Sequence, residues 1–229
     1  MRVLRNTGLL AATVLWMAWP AASQMDVGMQ PPDFRGVFNP VIGAGAVYEV
    51  ESGNRKSEVE VAIVGREVVN GKAGYWLQMA MTPPRGGQFL FKNLMVVDGT
   101  NSTLVRMIVQ RPGSAPMDMT GMMSMMHRSG QPPLTTDSRT QAQRVGAESV
   151  TTPAGTFDCE HYKARDGSWD AWLSTEVAPW GLVKSTGRSG TMVLTRVISN
   201  AVDRITGTPL KMDMQEMMRQ GMGQVPPGR

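Results

Sequence analysis

The chain has 229 residues, 41% of them hydrophobic and 18% charged, with a single cysteine, two histidines, 20 methionines and a formal net charge of +4. At roughly 100–200 residues per domain this is one domain with little to spare, long enough to fold on its own apolar core. One cysteine excludes an internal disulfide framework, and the ordinary hydrophobicity and low charge exclude wholesale disorder.

Residues 1–23 place Arg2 and Arg5 ahead of an apolar run from Gly8 to Trp19, followed by Pro20-Ala21-Ala22-Ser23. A basic start, a short apolar stretch and small residues are the layout of a secretory signal peptide. The run is shorter than the ~20 residues of a membrane-spanning helix. Ala21 and Ser23 suit the positions before a cleavage site, which predicts a mature chain starting at Gln24. No cysteine follows the run, so the signal is not of the bacterial lipoprotein type. Without Arg2 and Arg5 the formal charge falls from +4 to +2. The remaining cations are scattered, with no stripe suited to phosphates, so nucleic acid is not an expected partner. No later segment is apolar enough to span a bilayer, and the expected product is periplasmic or secreted.

Residues 24–45 read as a flexible lead-in, and residues 46–222 as one β-rich domain with a loose tail over 223–229. Val59, Val61 and Ile63 alternate with Glu58, Glu60 and Ala62, the pattern of a strand with one buried face. Glu67 to Met81 reads as a hairpin around Asn70-Gly71, a pair that tolerates the positive φ of a tight turn. Gln88 to Val97 and Thr103 to Gln110 predict two more strands, joined at Asp98-Gly99. After a Pro- and Met-rich interruption, strands resume at Gln143–Thr152, Thr156–Ala164, Ser168–Ser174, Gly181–Thr186 and Thr191–Ser199, with Asp203–Gly207 as a short last strand. Pro153-Ala154-Gly155 and Asp166-Gly167 supply turns. The expected fold is mainly β: a large curved antiparallel sheet or incomplete barrel of nine to eleven strands.

Two segments have helical spacing. Met119, Met122, Met123 and Met126 fall at i, i+3, i+4 and i+7, and Met214, Met217 and Met218 share a face. These predict short helices near 117–128 and 211–221, packed on the concave face of the sheet. Met-Asp-Met precedes Met-Met at the same spacing in both, at Met117 and at Met212.

The second half carries Thr152-Pro153-Ala154-Gly155-Thr156-Phe157, then Trp172-Leu173-Ser174, then Pro179-Trp180-Gly181-Leu182-Val183-Lys184. This succession resembles uncharacterised secreted bacterial proteins with a LolA/LolB-like sheet. The resemblance covers about 45 residues, and its motifs are structural. It implies an incomplete antiparallel barrel capped by short helices, and an apolar ligand such as the lipoprotein acyl chains that LolA carries and LolB receives.

The chemistry-bearing residues are few. Cys159 and His161 share a strand face, but neighbours two apart sit about 6–7 Å from each other, long for a thiolate–imidazole pair. No orienting elbow accompanies them, and the chain is expected not to be an enzyme. Glu58 and Glu60 read as the solvated face of a strand. Of Trp76, Trp169, Trp172 and Trp180, the pair Trp169 and Trp172 is expected on opposite faces. Met117, Met119, Met122, Met123, Met125, Met126 and His127 form a soft-ligand cluster that would suit Cu(I). The same methionine stripes are also what an apolar lid needs, since methionine packs adaptably. Non-enzymatic binding or carriage of a lipid or acyl chain under Met119, Met122, Met123, Met126, Met214, Met217 and Met218 is the leading expectation. Copper binding is the alternative, and a structural role in the envelope the third.

Overall fold

The computed structural model describes residues 38–84, 86–98, 101–121, 139, 142–188 and 190–211. Twelve strands form one sheet: β1 (Gly45–Ser52), β2 (Arg55–Val69), β3 (Lys72–Thr82), β4 (Phe89–Asp98), β5 (Asn101–Gln110), β6 (Met117–Asp118), β7 (Ala142–Thr152), β8 (Gly155–Ala164), β9 (Trp169–Leu173), β10 (Leu182–Gly187), β11 (Gly190–Ile198) and β12 (Leu210–Lys211). Their spatial order is β12-β6-β5-β4-β3-β2-β1-β11-β10-β9-β8-β7. Two meanders, β1 to β6 and β7 to β11, are therefore joined along one seam where β1 pairs antiparallel with β11. β12 and β7 are the free edges, so the sheet is open rather than a closed barrel.

Local sequence accounts for most of the hairpins. Asn70 and Gly71 adopt φ of 50° and 78°, the paired positive values of the tight turn between β2 and β3. Val59, Val61 and Ile63 of β2 are buried as their alternation requires, and Ala62 is buried as well.

The sheet curls. β7 and β11 stand four places apart, about 19 Å in a flat sheet, yet Cα atoms of the two come within 8 Å. Five ladders carry a register shift, among them Val47/Tyr48 between β1 and β11 and Arg144/Gly146 between β7 and β8. Such bulges bend strands and raise their twist. Curling gathers Tyr48, Val59, Ile63, Leu77, Phe157, Tyr162, Leu182 and Leu194 into one core. At its centre Tyr48 is fully buried and donates its hydroxyl to the Leu182 carbonyl at 3.0 Å.

A second, smaller core lies on the other face of β3, because successive side chains of a strand alternate. Trp76, Leu94 and Ile108 form it, with Ile205 packed against them. Ile205 belongs to an extended strap that follows β11 and ends at β12. The expectation of a strand at Asp203–Gly207 is thus corrected: this segment has no ladder. Side chains of the sheet hold it instead. Gln78 accepts from the Arg204 amide at 3.0 Å and donates to the Val202 carbonyl at 3.4 Å, Glu60 receives the Arg204 guanidinium at 2.6 Å, and Lys92 pairs with Asp203. Glu60 is consequently an anchor rather than a solvated residue.

The starts of the two predicted helices are also corrected. Met117–Asp118 and Leu210–Lys211 are strands that pair in parallel, Met117 with Leu210 and Asp118 with Lys211. Asp118 is fixed there by Arg106 and by the Thr120 amide and hydroxyl. Backbone pairing at the β5 edge outweighs helical spacing in so short a segment. Thr120 and Gly121 are helical, and the remaining residues of the two predicted helices, 122–128 and 212–221, the predicted signal peptide 1–23 and the tail 223–229 lie outside the described residues. Among the described residues no helix is long and apolar enough to cross a membrane.

Candidate functional site

The candidate site is built where β8 and β7 run past the end of β9. β9 stops at Leu173, opposite Glu160, and the chain turns back through Ser174–Gly181 into β10. That loop closes on itself: Ser174 N–H donates to the Gly181 carbonyl at 2.8 Å, and Gly181 N–H to the Val177 carbonyl at 2.6 Å. Gly181 has φ of 74°, and a Cβ there would lie 2.9 Å from the Ser174 carbonyl oxygen. Only glycine suits this position. The Ala178–Pro179 bond is cis, and the Pro179 carbonyl receives the Asn39 amide at 2.7 Å, which ties the residues before β1 to the loop.

Between this loop and the β7–β8 hairpin lies a cavity of about 790 Å3. Cys159, Leu173, Val177 and Trp180 are its buried apolar floor, and Phe38 joins from the other side. Arg144, Glu148, Asp158 and Glu160 form an exposed polar rim. Ligand sites of ~300–1,000 Å3 combine these two elements: apolar walls and a few placed polar groups.

The rim charges are held. Glu160 accepts the Tyr162 hydroxyl at 2.6 Å and Arg144 Nε at 3.1 Å. The Tyr162 bond, then the Arg144 guanidinium, keep its carboxyl below the usual range. Glu148 accepts Trp172 Nε1–H at 2.6 Å, and His161 Nδ1 lies 3.3 Å from the same oxygen.

Cys159 is 3% exposed, and its Sγ points to the Phe157 carbonyl at 3.5 Å. Burial pushes its thiol up to about 11, helped by the carboxylates of Asp158, Glu148 and Glu176. A group that stays protonated at neutral pH is a poor nucleophile. His161 engages carboxylates rather than the thiol: Nε2 lies 2.9 Å from Asp170. Its ring stacks on Trp172 with centroids 4.4 Å apart, and Lys184 approaches the same indole from β10 at 4.9 Å. The expected alternation along β8 changes phase here, since Phe157 and Cys159 are buried, then Tyr162 and Ala164, with His161 half-buried between.

The methionines singled out by spacing are not brought to this cavity by the described residues. Met117 and Met119 sit by the opposite edge, where the Met119 amide extends the β5 ladder to the Met107 carbonyl at 2.8 Å. Met122, Met123, Met125, Met126, His127, Met214, Met217 and Met218 lie outside the described residues. Among the described residues, no three histidine, cysteine or carboxylate side chains are placed to hold a metal ion. The cavity itself escaped sequence reasoning, because its lining comes from four separate stretches of chain. The sharp turn at Pro179-Trp180-Gly181 was its one local signal.

No family model matches the chain, and no curated protein matches it. Three solved structures share some likeness. A candidate lipoprotein from Parabacteroides distasonis is 14% identical, with a TM-score of 0.34 over 72% of this chain and all of that one. A candidate exported protein with YmcC-like fold from Bacteroides fragilis is 12% identical, with a TM-score of 0.33 over 71% of this chain and 99% of that one. MucB is 11% identical, with a TM-score of 0.36; the alignment covers 74% of this chain and 58% of MucB. Likeness at this level carries no argument about the site, and the fold rests on the strand pairing itself.

Proposed function

We propose that this chain is an exported, non-enzymatic protein of the cell envelope that binds the apolar portion of a lipid or acyl chain in the cavity between the β7–β8 hairpin and the Ser174–Gly181 loop. The observation that carries this reading is the cavity: about 790 Å3, floored by Leu173, Val177, Trp180 and a protonated Cys159, with charges confined to the rim. Burial of an apolar chain against such a floor contributes about 25 cal/mol per Å2 removed from water. The paired rim groups would meet a polar head without having to enter the apolar floor. The signal-peptide layout of residues 1–23 supports export.

Native mass spectrometry of the protein purified from its own envelope tests the reading. A co-purifying lipid or fatty acid is expected. The same measurement on Ala147→Trp, a substitution at an exposed cavity-lining position of β7, is expected to show that adduct reduced at least about fivefold, the share of binding that a loss of ~1 kcal/mol removes. A chain that carries no lipid and takes up neither palmitate nor lysophospholipid would overturn it, and a bound copper ion would move the assignment to the methionine-rich segments.

A further inference from the structure

The charges around the cavity are divided unevenly. Arg139 and Arg144, the cations of its described lining, are both engaged at one end. Arg144 pairs with Glu160 at 3.1 Å, and Arg139 donates to the Tyr162 hydroxyl, which itself donates to Glu160. The other end is acidic. Asp158 lines the cavity, and among the described residues it has neither a hydrogen bond nor an ion pair. The same is true of Glu176, which stands on the loop between the lining residues Thr175 and Val177. Glu148 has the Trp172 N–H and His161 beside it, but no arginine or lysine. These three carboxylates are the charged groups that act on the Cys159 thiol at the cavity floor, and no cation opposes them there. The potential over the floor is therefore negative, and the apolar walls of Leu173, Val177 and Trp180 focus it.

We infer that the cavity selects amphiphiles whose head group is an ammonium, held at the mouth beside Asp158 and Glu176 while the chain lies on the apolar floor. This names the ligand class of the proposed lipid site and rests on that reading. An apolar chain of any kind would be drawn to Leu173, Val177 and Trp180, so the floor by itself does not choose between heads. The mouth does. A carboxylate or a phosphate monoester there would add a like charge to a group of unpaired acids, and the two arginines that could offset it already serve Glu160 and Tyr162. An ammonium instead supplies the opposite charge that Asp158 and Glu176 lack. Both side chains are exposed, so they can turn toward a head group without first breaking a bond within the protein.

Three ligands with one chain and three heads test the selection: decylammonium, decanol and decanoate, titrated calorimetrically into the full-length protein near neutral pH. Because the carboxylates are exposed, each ligand charge counts for what a surface ion pair does, and decylammonium is expected to bind about fivefold tighter than decanoate, with decanol between. Salt at ~1 M, where the Debye length is ~3 Å, is expected to remove most of that ratio. Asp158→Asn is expected to narrow it to about twofold, and Asp158→Lys to invert the order. Lysophosphatidylethanolamine and lysophosphatidylglycerol then distinguish the sources of the head: a lipid ligand shows as preference for the first, and a simple long-chain amine as preference for decylammonium alone. Equal affinity for the three decyl compounds, or an order that both Asp158 variants leave unchanged, would overturn the selection while leaving the lipid reading of the cavity in place. Failure of all three to bind would overturn both.

Discussion

Replacing Gln78 with leucine removes the side chain that holds the C-terminal strap against the sheet while nearly preserving its volume. Gln78 is 2% exposed and makes two bonds to the strap backbone, accepting from Arg204 N–H at 3.0 Å and donating to the Val202 carbonyl at 3.4 Å. Val202 is 70% exposed, so its carbonyl can turn to water and the longer bond contributes little. The Arg204 amide is half-buried and would lose its acceptor. Leaving a donor unpaired away from water costs about 1–3 kcal/mol, and the extra apolar surface of leucine returns only part of this. The expected loss is ~2 kcal/mol, or about 4–8 °C in Tm for a chain of this size. Urea unfolding followed by tryptophan fluorescence gives the free energy. Hydrogen exchange at the Arg204 amide, expected to accelerate in the variant, places the loss in the strap. A change below about 0.5 kcal/mol with unaltered exchange at Arg204 would refute the assignment of Gln78 as the anchor, leaving Glu60, Lys92 and the packing of Ile205 to hold the strap.

Two further outcomes follow from ionisable groups. With its thiol pushed up to about 11 by burial, Cys159 is expected to react with iodoacetamide at pH 7.5 about 100-fold more slowly in the folded protein than in urea; equal rates would mean an accessible thiolate. Burial of the Asp118 carboxyl opposes ionisation, but the Thr120 hydroxyl and amide and the Arg106 guanidinium outweigh it and hold the carboxyl below the usual range. A depressed carboxyl stabilises the fold above the pH at which the unfolded group titrates, and that contribution is lost on acidification. Asp118→Asn is therefore expected to be less stable than the wild type at pH 7, with the gap narrowing on acidification, and a gap that stays constant across urea titrations at pH 7 and at acidic pH would refute the ion-pair account.

What could be read from the residues was what depends on neighbours in sequence. The Asn70-Gly71 turn, the alternation of Val59, Val61 and Ile63, and the punctuation of the second meander by Pro153 and Gly167 are local, and each reappears in the ladders. The strap departs from the expected strand for a physical reason. Val202-Asp203-Arg204-Ile205 has extended spacing, but its acceptor is a side chain 126 residues away, and no periodicity records that. The Met117-Asp118 start of the first methionine segment has helical spacing too, and becomes strand where Met117 and Asp118 pair with Leu210 and Lys211. Cys159 and His161 are expected on one strand face, whereas the burial pattern changes phase along β8 and His161 faces Glu148 and Asp170. The cavity needed the curl of the whole sheet.

The single seam between the meanders also governs the order in which the molecule can form. β1 has its first partner at once, since β2 follows after a two-residue turn, but its other edge waits for β11. The Thr195 hydroxyl that meets the Val47 carbonyl across that seam lies 148 residues further along the chain. Each meander can assemble from short-range contacts. Their union cannot, and long-range pairing of this kind slows folding because loop closure comes before any compensating contact. Until the seam closes, the second edge of β1 presents unpaired amides and carbonyls beside Tyr48 and Val50, a surface on which foreign strands can add. For this chain the vulnerable interval is therefore the time between completion of the first meander and arrival of β11, and a chaperone that shields a sheet edge would act there.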